Sequence, residues 1–535
     1  MNGTNLRAWI WIAAGLLAGG SLHAQSFDTL IRHGRVIDGT GNPAAQMDLG
    51  LRQGRIVAIG RLTGDAPLEI DARGLVVAPG FIDVHTHAEE IDELPRAENF
   101  VRMGVTTAIL GNCGSSVADV AAFFQRLEAT PISINIATLI GHGTVRGKAM
   151  GGSFMRPPSS NELVEMSRQV DQAMRDGAVG MSTGLIYLPG TFAKTEELIE
   201  LTKIIAPYDG IYASHMRSEG QEIDAALAEL FRIAREAGVR AHVSHLKLSG
   251  KSSWGQASRI LGLIEHARAE GLDITQDQYV YTASSTGLSQ LIPDEYREAN
   301  RFSDTLADPE KKASLVRAMK DNLRAGRRTD YSYAVIADWS YNPRLNGLNL
   351  VEAARQHRGT SSVDDQIELI FEIHRQGGAG GVFHGISEED LQEFLRSPNT
   401  MFASDSGVRK FGEGVPHPRG YGNNARVLAR YVRELKLLRL EDAIRRMTSL
   451  PAAAFHLKDR GLIREHAWAD LVIFDPARVQ DQATFGDPHH YATGFAWVLV
   501  NGVPVVKQDA HSGATPGRVL RHGIASAPAA TEREH

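Results

Sequence analysis

The sequence predicts an α/β chain built around a (β/α)8 TIM-type barrel, with a small β-sandwich domain assembled from both ends. Three observations carry this. Apolar strand-like runs alternate with amphipathic helical stretches through the middle of the chain, short β-rich runs separated by turns recur at both termini, and the polar exceptions in the apolar runs fall at their C-terminal ends. In a closed parallel barrel those ends share one face, which is where such barrels place their chemistry.

The N-terminal β-rich runs are TLIRHGRVIDGTG, DLGLRQGRIVAIG and LEIDARGLVVAPG. They have counterparts in ADLVIFDP (Ala469 to Pro476) and FAWVLVNGVPVVKQ (Phe495 to Gln508). Termini commonly lie close together, so the two sets can pair in one small domain, expected over residues 25–78 and 451–512. Between them, over residues 79–450, eight candidate strands follow in order: FIDVHTH, VTTAILGN, ISINIATLIG, AVGMSTGLIY, IYASHM, RAHVSHLK, LDITQDQYVY and TMFASDSG. Helices such as AELFRIAREAG and ASRILGLIEHARAEG show apolar residues at three-to-four spacing. Eight such units close most naturally into a barrel, with a doubly wound open sheet as the competing arrangement. Two further β-like runs, YSYAVIAD and GVFHG, exceed the count of eight. An insertion over about 288–346 is expected to interrupt the last unit and form a lid.

The ends of the chain read differently. Arg7 precedes the apolar run Ala8 to Ala24, with polar QSFD after it, the pattern of a signal peptide over residues 1–24. An uncleaved anchor is the alternative. The run of about 15 apolar residues is short for a membrane span, so an exported protein, periplasmic or secreted, is expected. Residues 513–535, rich in Ala, Pro, Gly and charge, are expected to be disordered. The formal net charge of −6 argues against nucleic acid or an anionic membrane surface as the main partner.

The strand ends hold the candidates for chemistry: His85 and His87 in FIDVHTH, Cys113 in ILGNCG, His215 in YASHM, His245 in VSHLK and Asp405 in FASDSG. A single histidine at a strand end is ordinarily a hydrogen-bonded rim residue. Alternation in a strand, however, points both rings of H-x-H to one side, and six metal-capable groups from five strands would then converge. Cys113 is the only cysteine of the chain, so no intramolecular disulfide can protect it, whereas metal ligation can. Imidazole and thiolate suit zinc, while calcium and magnesium require oxygen cages that this set lacks. Cys113, His215 and His245 with water as a fourth ligand would form a catalytic site. Asp405 is then placed to accept a proton from that water and return it to a leaving amine.

The stretch APGFIDVHTH, histidines ending the fifth and sixth strands, an aspartate ending the eighth and the returning ADLVIFDP resemble the amidohydrolase superfamily. Within it, the cysteine of GNCG and a fourth strand, GMSTGLIY, that lacks a lysine resemble the D-aminoacylases. The resemblance implies zinc-dependent hydrolysis of N-acyl-D-amino acids. It implies one tight Zn2+ on Cys113, His215 and His245, and a second, weak one on His85, His87 and Asp405 with Cys113 bridging. It also implies a receptor for the substrate carboxylate made of Lys247 in SHLK, Tyr187 in GLIY, Tyr281 or its neighbour Tyr279 in QYVYT, and Arg419 in HPR, with Arg217 and Glu219 of HMRSEG in support. Two departures stand out: Val280 replaces a common proline, and the insertion matches no known specificity type. The alternatives are a dipeptidase or cyclic-amide hydrolase of the same superfamily, or a non-catalytic barrel scaffold. The sequence does not fix oligomeric state.

Overall fold

A computed structural model describes residues 26–298 and 301–523. The signal segment expected at 1–24 and the end of the C-terminal tail lie outside the described residues. Eight parallel strands form the barrel: Phe81–Asp83, Val105–Leu110, Asn135–Thr138, Gly180–Gly184, Ile211–His215, Arg240–Val243, Ile274–Gln278 and Thr400–Phe402. The third strand hands on through Ile140–Gly141 to the fourth, and a parallel bridge between Thr86 and Ser406 closes the eighth strand on the first. Residues of these strands are buried almost without exception, as expected when helices cover the outside of a parallel sheet. The helices show why. In Ile223–Ala237 the buried residues Ile223, Ala226, Leu227, Leu230, Ile233, Ala234 and Ala237 recur every three or four positions, and Gly238 ends the helix at φ 68°.

The terminal segments meet in one nine-stranded sheet. Its central pairings join Val76–Pro79 to Leu471–Phe474 and Thr29–Val36 to Ala45–Arg52. Period-two alternation divides its side chains: Leu471 and Ile473 pack with Ile31, Leu49 and Ile56, while Val472 and Phe474 face the barrel core.

Two expectations change. The insertion closes on itself as a unit wider than 288–346. Strands Ala283–Gly287, Gly380–His384 and Ala334–Asp338 form an antiparallel sheet, so the two surplus β-like runs belong here. Helices Pro309–Ala325, Leu350–Arg358 and Val363–Arg375 join it around a separate core that includes Leu315, Met319, Trp339, Leu350 and Phe371. Of the tail expected to be disordered, residues 513–523 are instead hydrogen-bonded beside the third barrel strand: Gly517 N–H donates to Ile132 O, and Leu520 N–H to Ile136 O, each at 2.7 Å. Main-chain pairing holds this stretch despite its weak apolar content. Among the described residues, no helix is long and apolar enough to cross a membrane.

Candidate active site

At the C-terminal mouth of the barrel the structure brings all six candidate ligands together. Cys113 Sγ lies 3.2 Å from His85 Nε2, 3.7 Å from His215 Nδ1 and 3.5 Å from His245 Nε2. Asp405 Oδ1 lies 3.2 Å from His87 Nε2 and 3.6 Å from His85 Nε2. The side chains fall into the overlapping groups His85/Cys113/His245, His85/His87/Asp405 and His215/Glu219/His245. All are buried except Glu219 and His87, which are partly exposed, His87 toward the mouth.

Three of these residues sit just past a strand end with positive φ: Cys113 at 53°, His245 at 36° and Asp405 at 50°. Side-chain-bearing residues avoid this region, and the surrounding structure must hold them there. The left-handed turn breaks the alternation of the strand and redirects each side chain into the mouth.

The donor set fits a zinc ion. Sulfur at ~2.3 Å and nitrogen at ~2.05 Å from one tetrahedral zinc lie about 3.5 Å apart, which matches the Cys113 distances to His215 and His245. Burial alone would raise the Cys113 thiol, but His85, His215 and His245 pull it well below its usual value, toward the thiolate that zinc binds. Glu219 Oε1 takes His245 Nδ1 at 2.8 Å, leaving Nε2 turned to the thiolate. Lys247, Nζ 2.5 Å from the same oxygen, and the two imidazoles hold Glu219 below the usual carboxylate range against its burial.

The cations expected to bind a carboxylate converge over Tyr279. Arg419 Cζ lies 4.4 Å from that ring's centroid and Lys247 Nζ 5.8 Å. Arg419 Nη1 is 2.8 Å from Asp405 Oδ2, and its field with that of His85 outweighs burial and keeps Asp405 well below its ordinary range. Yet neither Arg419 Nε nor Nη1 makes an aligned hydrogen bond, and Tyr279 Oη has no partner. Buried donors normally find acceptors, so these three mark where a ligand oxygen fits. Tyr187 packs edge-on against His215, 4.9 Å between centroids, and its Oη accepts from Thr286 Oγ1 at 3.2 Å. A cavity of about 520 Å³ opens here, lined by His87, Cys113, Tyr187, Ser285, Thr286 and Asp405 among others.

Two expected residues lie elsewhere. Tyr281 packs on His417 and Phe485 under Arg426, whose Cζ is 4.8 Å from its ring, so Tyr279 takes the place at the mouth. The seventh strand ends at Gln278, and the alternation that put both tyrosines on one face ends with it. Arg217 does not support the metal groups. It pairs with Glu229 at 3.0 Å and donates to Thr191 O and Ala193 O, bracing the loop that follows Tyr187.

Sequence reasoning missed the next layer. His417, in the same HPR run as Arg419, accepts the Arg419 N–H at Nδ1 and donates from Nε2 to Ala283 O, linking the receptor to the insertion. Asp277 and His242 lie inside the barrel beneath His85. The signals were a carboxylate in the middle of a buried strand, QDQ, and a second histidine in RAHVSH.

The fold and its mouth define a barrel hydrolase with a metal-binding site. Residues 68–506 match the amidohydrolase family, and the chain belongs to it. It is 37% identical over 527 residues to the D-aminoacylase of Alcaligenes xylosoxydans xylosoxydans, covering 93% of this chain and 98% of that one. A solved D-aminoacylase, described by a binuclear metal centre with one-metal activation and second-metal attenuation, superposes with TM-score 0.80 at 35% identity, over 92% of this chain and 100% of the other. N-acyl-D-glutamate deacylase from Bordetella bronchiseptica, complexed with zinc and a phosphonate mimic of the tetrahedral intermediate, superposes with TM-score 0.80 at 34% identity over 93% and 100%.

Proposed function

We propose that this protein is an exported, zinc-dependent deacylase that hydrolyses N-acyl-D-amino acids to a carboxylate and a free D-amino acid. The observation that carries the reading is the joint placement at one mouth of the Cys113/His215/His245 cluster, the Asp405 carboxylate, the Arg419 guanidinium with its unpartnered Nε and the unpartnered Tyr279 hydroxyl. Cys113, His215 and His245 would hold the tight zinc, which supplies Lewis-acid activation of the amide carbonyl and of the attacking water; His85, His87 and Asp405 would hold the weaker one.

The chain's own residues then divide the remaining work. Arg419, Lys247 and Tyr279 bind the substrate carboxylate, a planar anion that a guanidinium fork matches. Asp405, ionised and facing the metal groups, accepts a proton at Oδ1 from the attacking water and delivers it to the leaving amine. Tyr187, already hydrogen-bonded to Thr286, lines the cavity beside His215. Substrate binding to Arg419 would also loosen its ion pair with Asp405 and so raise the basicity of the carboxylate as the reaction begins.

A panel of N-acetyl-D- and N-acetyl-L-amino acids, assayed for amine release with zinc-loaded protein, tests the reading. Turnover on D substrates, reduced about 10²–10⁴-fold in Asp405→Asn, is expected. Hydrolysis of cyclic amides in preference to linear ones, or undiminished turnover by that variant, contradicts it. Export through residues 1–24 is tested by N-terminal sequencing of the mature protein, which should begin at Gln25.

A further inference from the structure

Beneath the outer metal group, a carboxylate inside the barrel joins His85 to a histidine that the rest of the site does not use. Asp277 stands in the seventh strand, facing an interior that branched aliphatic side chains ordinarily fill. Its Oδ1 accepts the backbone N–H of His245 at 2.9 Å, and its Oδ2 lies 3.2 Å from His85 Nδ1 and 2.7 Å from His242 Nε2. His242 Nδ1 in turn faces Thr275 Oγ1 at 2.8 Å. The side chains of His85, His242 and Asp277 are all at most 1% exposed, so water does not compete for these bonds.

The hydrogen-bond inventory fixes the protons. Three nitrogens converge on the two oxygens of one carboxylate, and a carboxylate only accepts. His85 therefore carries a proton on Nδ1, which leaves Nε2, 3.2 Å from Cys113 Sγ and 3.6 Å from Asp405 Oδ1, as the nitrogen a metal would take. His242 donates from Nε2 and accepts the Thr275 hydroxyl at Nδ1. With an amide in place of the carboxylate, its NH2 would face either both imidazoles at the Oδ2 position or the His245 N–H at the Oδ1 position, and in the first case His85 could turn its proton to the side that must bind metal.

We propose that Asp277, held in place by His242, is a positioning residue that keeps the lone pair of His85 Nε2 on the metal face and so sets the affinity of the outer position formed by His85, His87 and Asp405. The proposal rests on the metal assignment made above. The inner group depends on it less, because Glu219 and not Asp277 holds the His245 ring.

The test is a zinc titration of protein already carrying one equivalent, with Asp277→Asn and His242→Gln beside the wild type. The wild type is expected to take up a second equivalent. Asp277→Asn should retain the first and bind the second about 10–100-fold more weakly, the usual effect of removing such an outer partner. His242→Gln should shift the second affinity in the same direction by less. A long-range 1H–15N spectrum of histidine-labelled wild type reads the tautomer with no substitution, so folding of Asp277→Asn is not essential; His85 should show Nδ1–H. A wild type that stops at one equivalent, an Asp277→Asn protein that binds the second zinc normally or loses both together, or His85 protonated at Nε2 overturns the proposal. Two-zinc binding without hydrolysis of N-acetyl-D-amino acids would instead overturn the deacylase reading and leave this one standing.

Discussion

The floor of the cavity and its outer wall are built by different means. The floor consists of barrel strand ends: Cys113, His245 and Asp405 in left-handed turns, locked by Glu219, Asp277 and one another in near-complete burial. The wall is the insertion, a unit with its own three-stranded sheet and its own core, which reaches the cavity through Ser285 and Thr286. It meets the barrel through polar contacts that include Met155 N–H donating to Glu298 Oε1 at 2.9 Å, Gly250 N–H to Gly385 O at 2.8 Å and Val415 N–H to Ala337 O at 2.7 Å. Strained, over-determined geometry belongs to the reaction, and a separately folded appendage can vary with the substrate without disturbing it.

Changes to the floor should therefore act on metal and turnover, and changes to the wall on preference and local stability. The largest effect is expected from Cys113→Ala. It removes the thiolate proposed to hold the tight zinc, so tight zinc should be lost, as measured by metal analysis, and turnover with it, while the fold should persist. Arg419→Ala comes next. It strips a buried guanidinium from the Asp405 carboxylate and from the substrate, and kcat/KM should fall by the equivalent of about 2–5 kcal/mol. Arg419→Lys should recover only part of this, because an ammonium cannot present the planar fork. Phe371→Ala opens the insertion core and should cost the insertion about 3–5 kcal/mol in chemical denaturation while zinc content stays unchanged. If that variant loses zinc, the two regions are not separable. Tyr279→Phe should raise KM by the worth of one hydrogen bond, about 1 kcal/mol, with Tyr281→Phe indistinguishable from wild type in the same assay. The smallest effect is expected from Thr286→Val, which should shift the relative kcat/KM among acyl groups by less than about 1 kcal/mol and leave zinc affinity alone.

How much of this was legible in the sequence follows the same division. The eight strands and their polar ends could be read because a parallel barrel buries continuous apolar runs, and anything polar at their ends stands out. The insertion could not be bounded. Its helices Leu350–Arg358 and Val363–Arg375 have the same amphipathic period as barrel helices, and only the pairing of Gly380–His384 with Ala283–Gly287 shows that the unit closes on itself. Tyr281 and Tyr279 could not be told apart because the resemblance asks only for a tyrosine after the seventh strand, and past Gln278 the backbone no longer follows strand alternation. Asp277 and His242 did not stand out, since a single polar residue inside a strand does not announce its partner 35 residues away in the next. The tail to Gly523 is held by main-chain hydrogen bonds, which composition does not encode.

The proposed chemistry depends on Cys113, His215 and His245 holding a single zinc. Zinc-edge X-ray absorption on the purified protein with one equivalent of metal tests it directly. One sulfur at ~2.3 Å with nitrogen neighbours at ~2.0–2.1 Å is the expected first shell. A shell of oxygen and nitrogen without sulfur would contradict it.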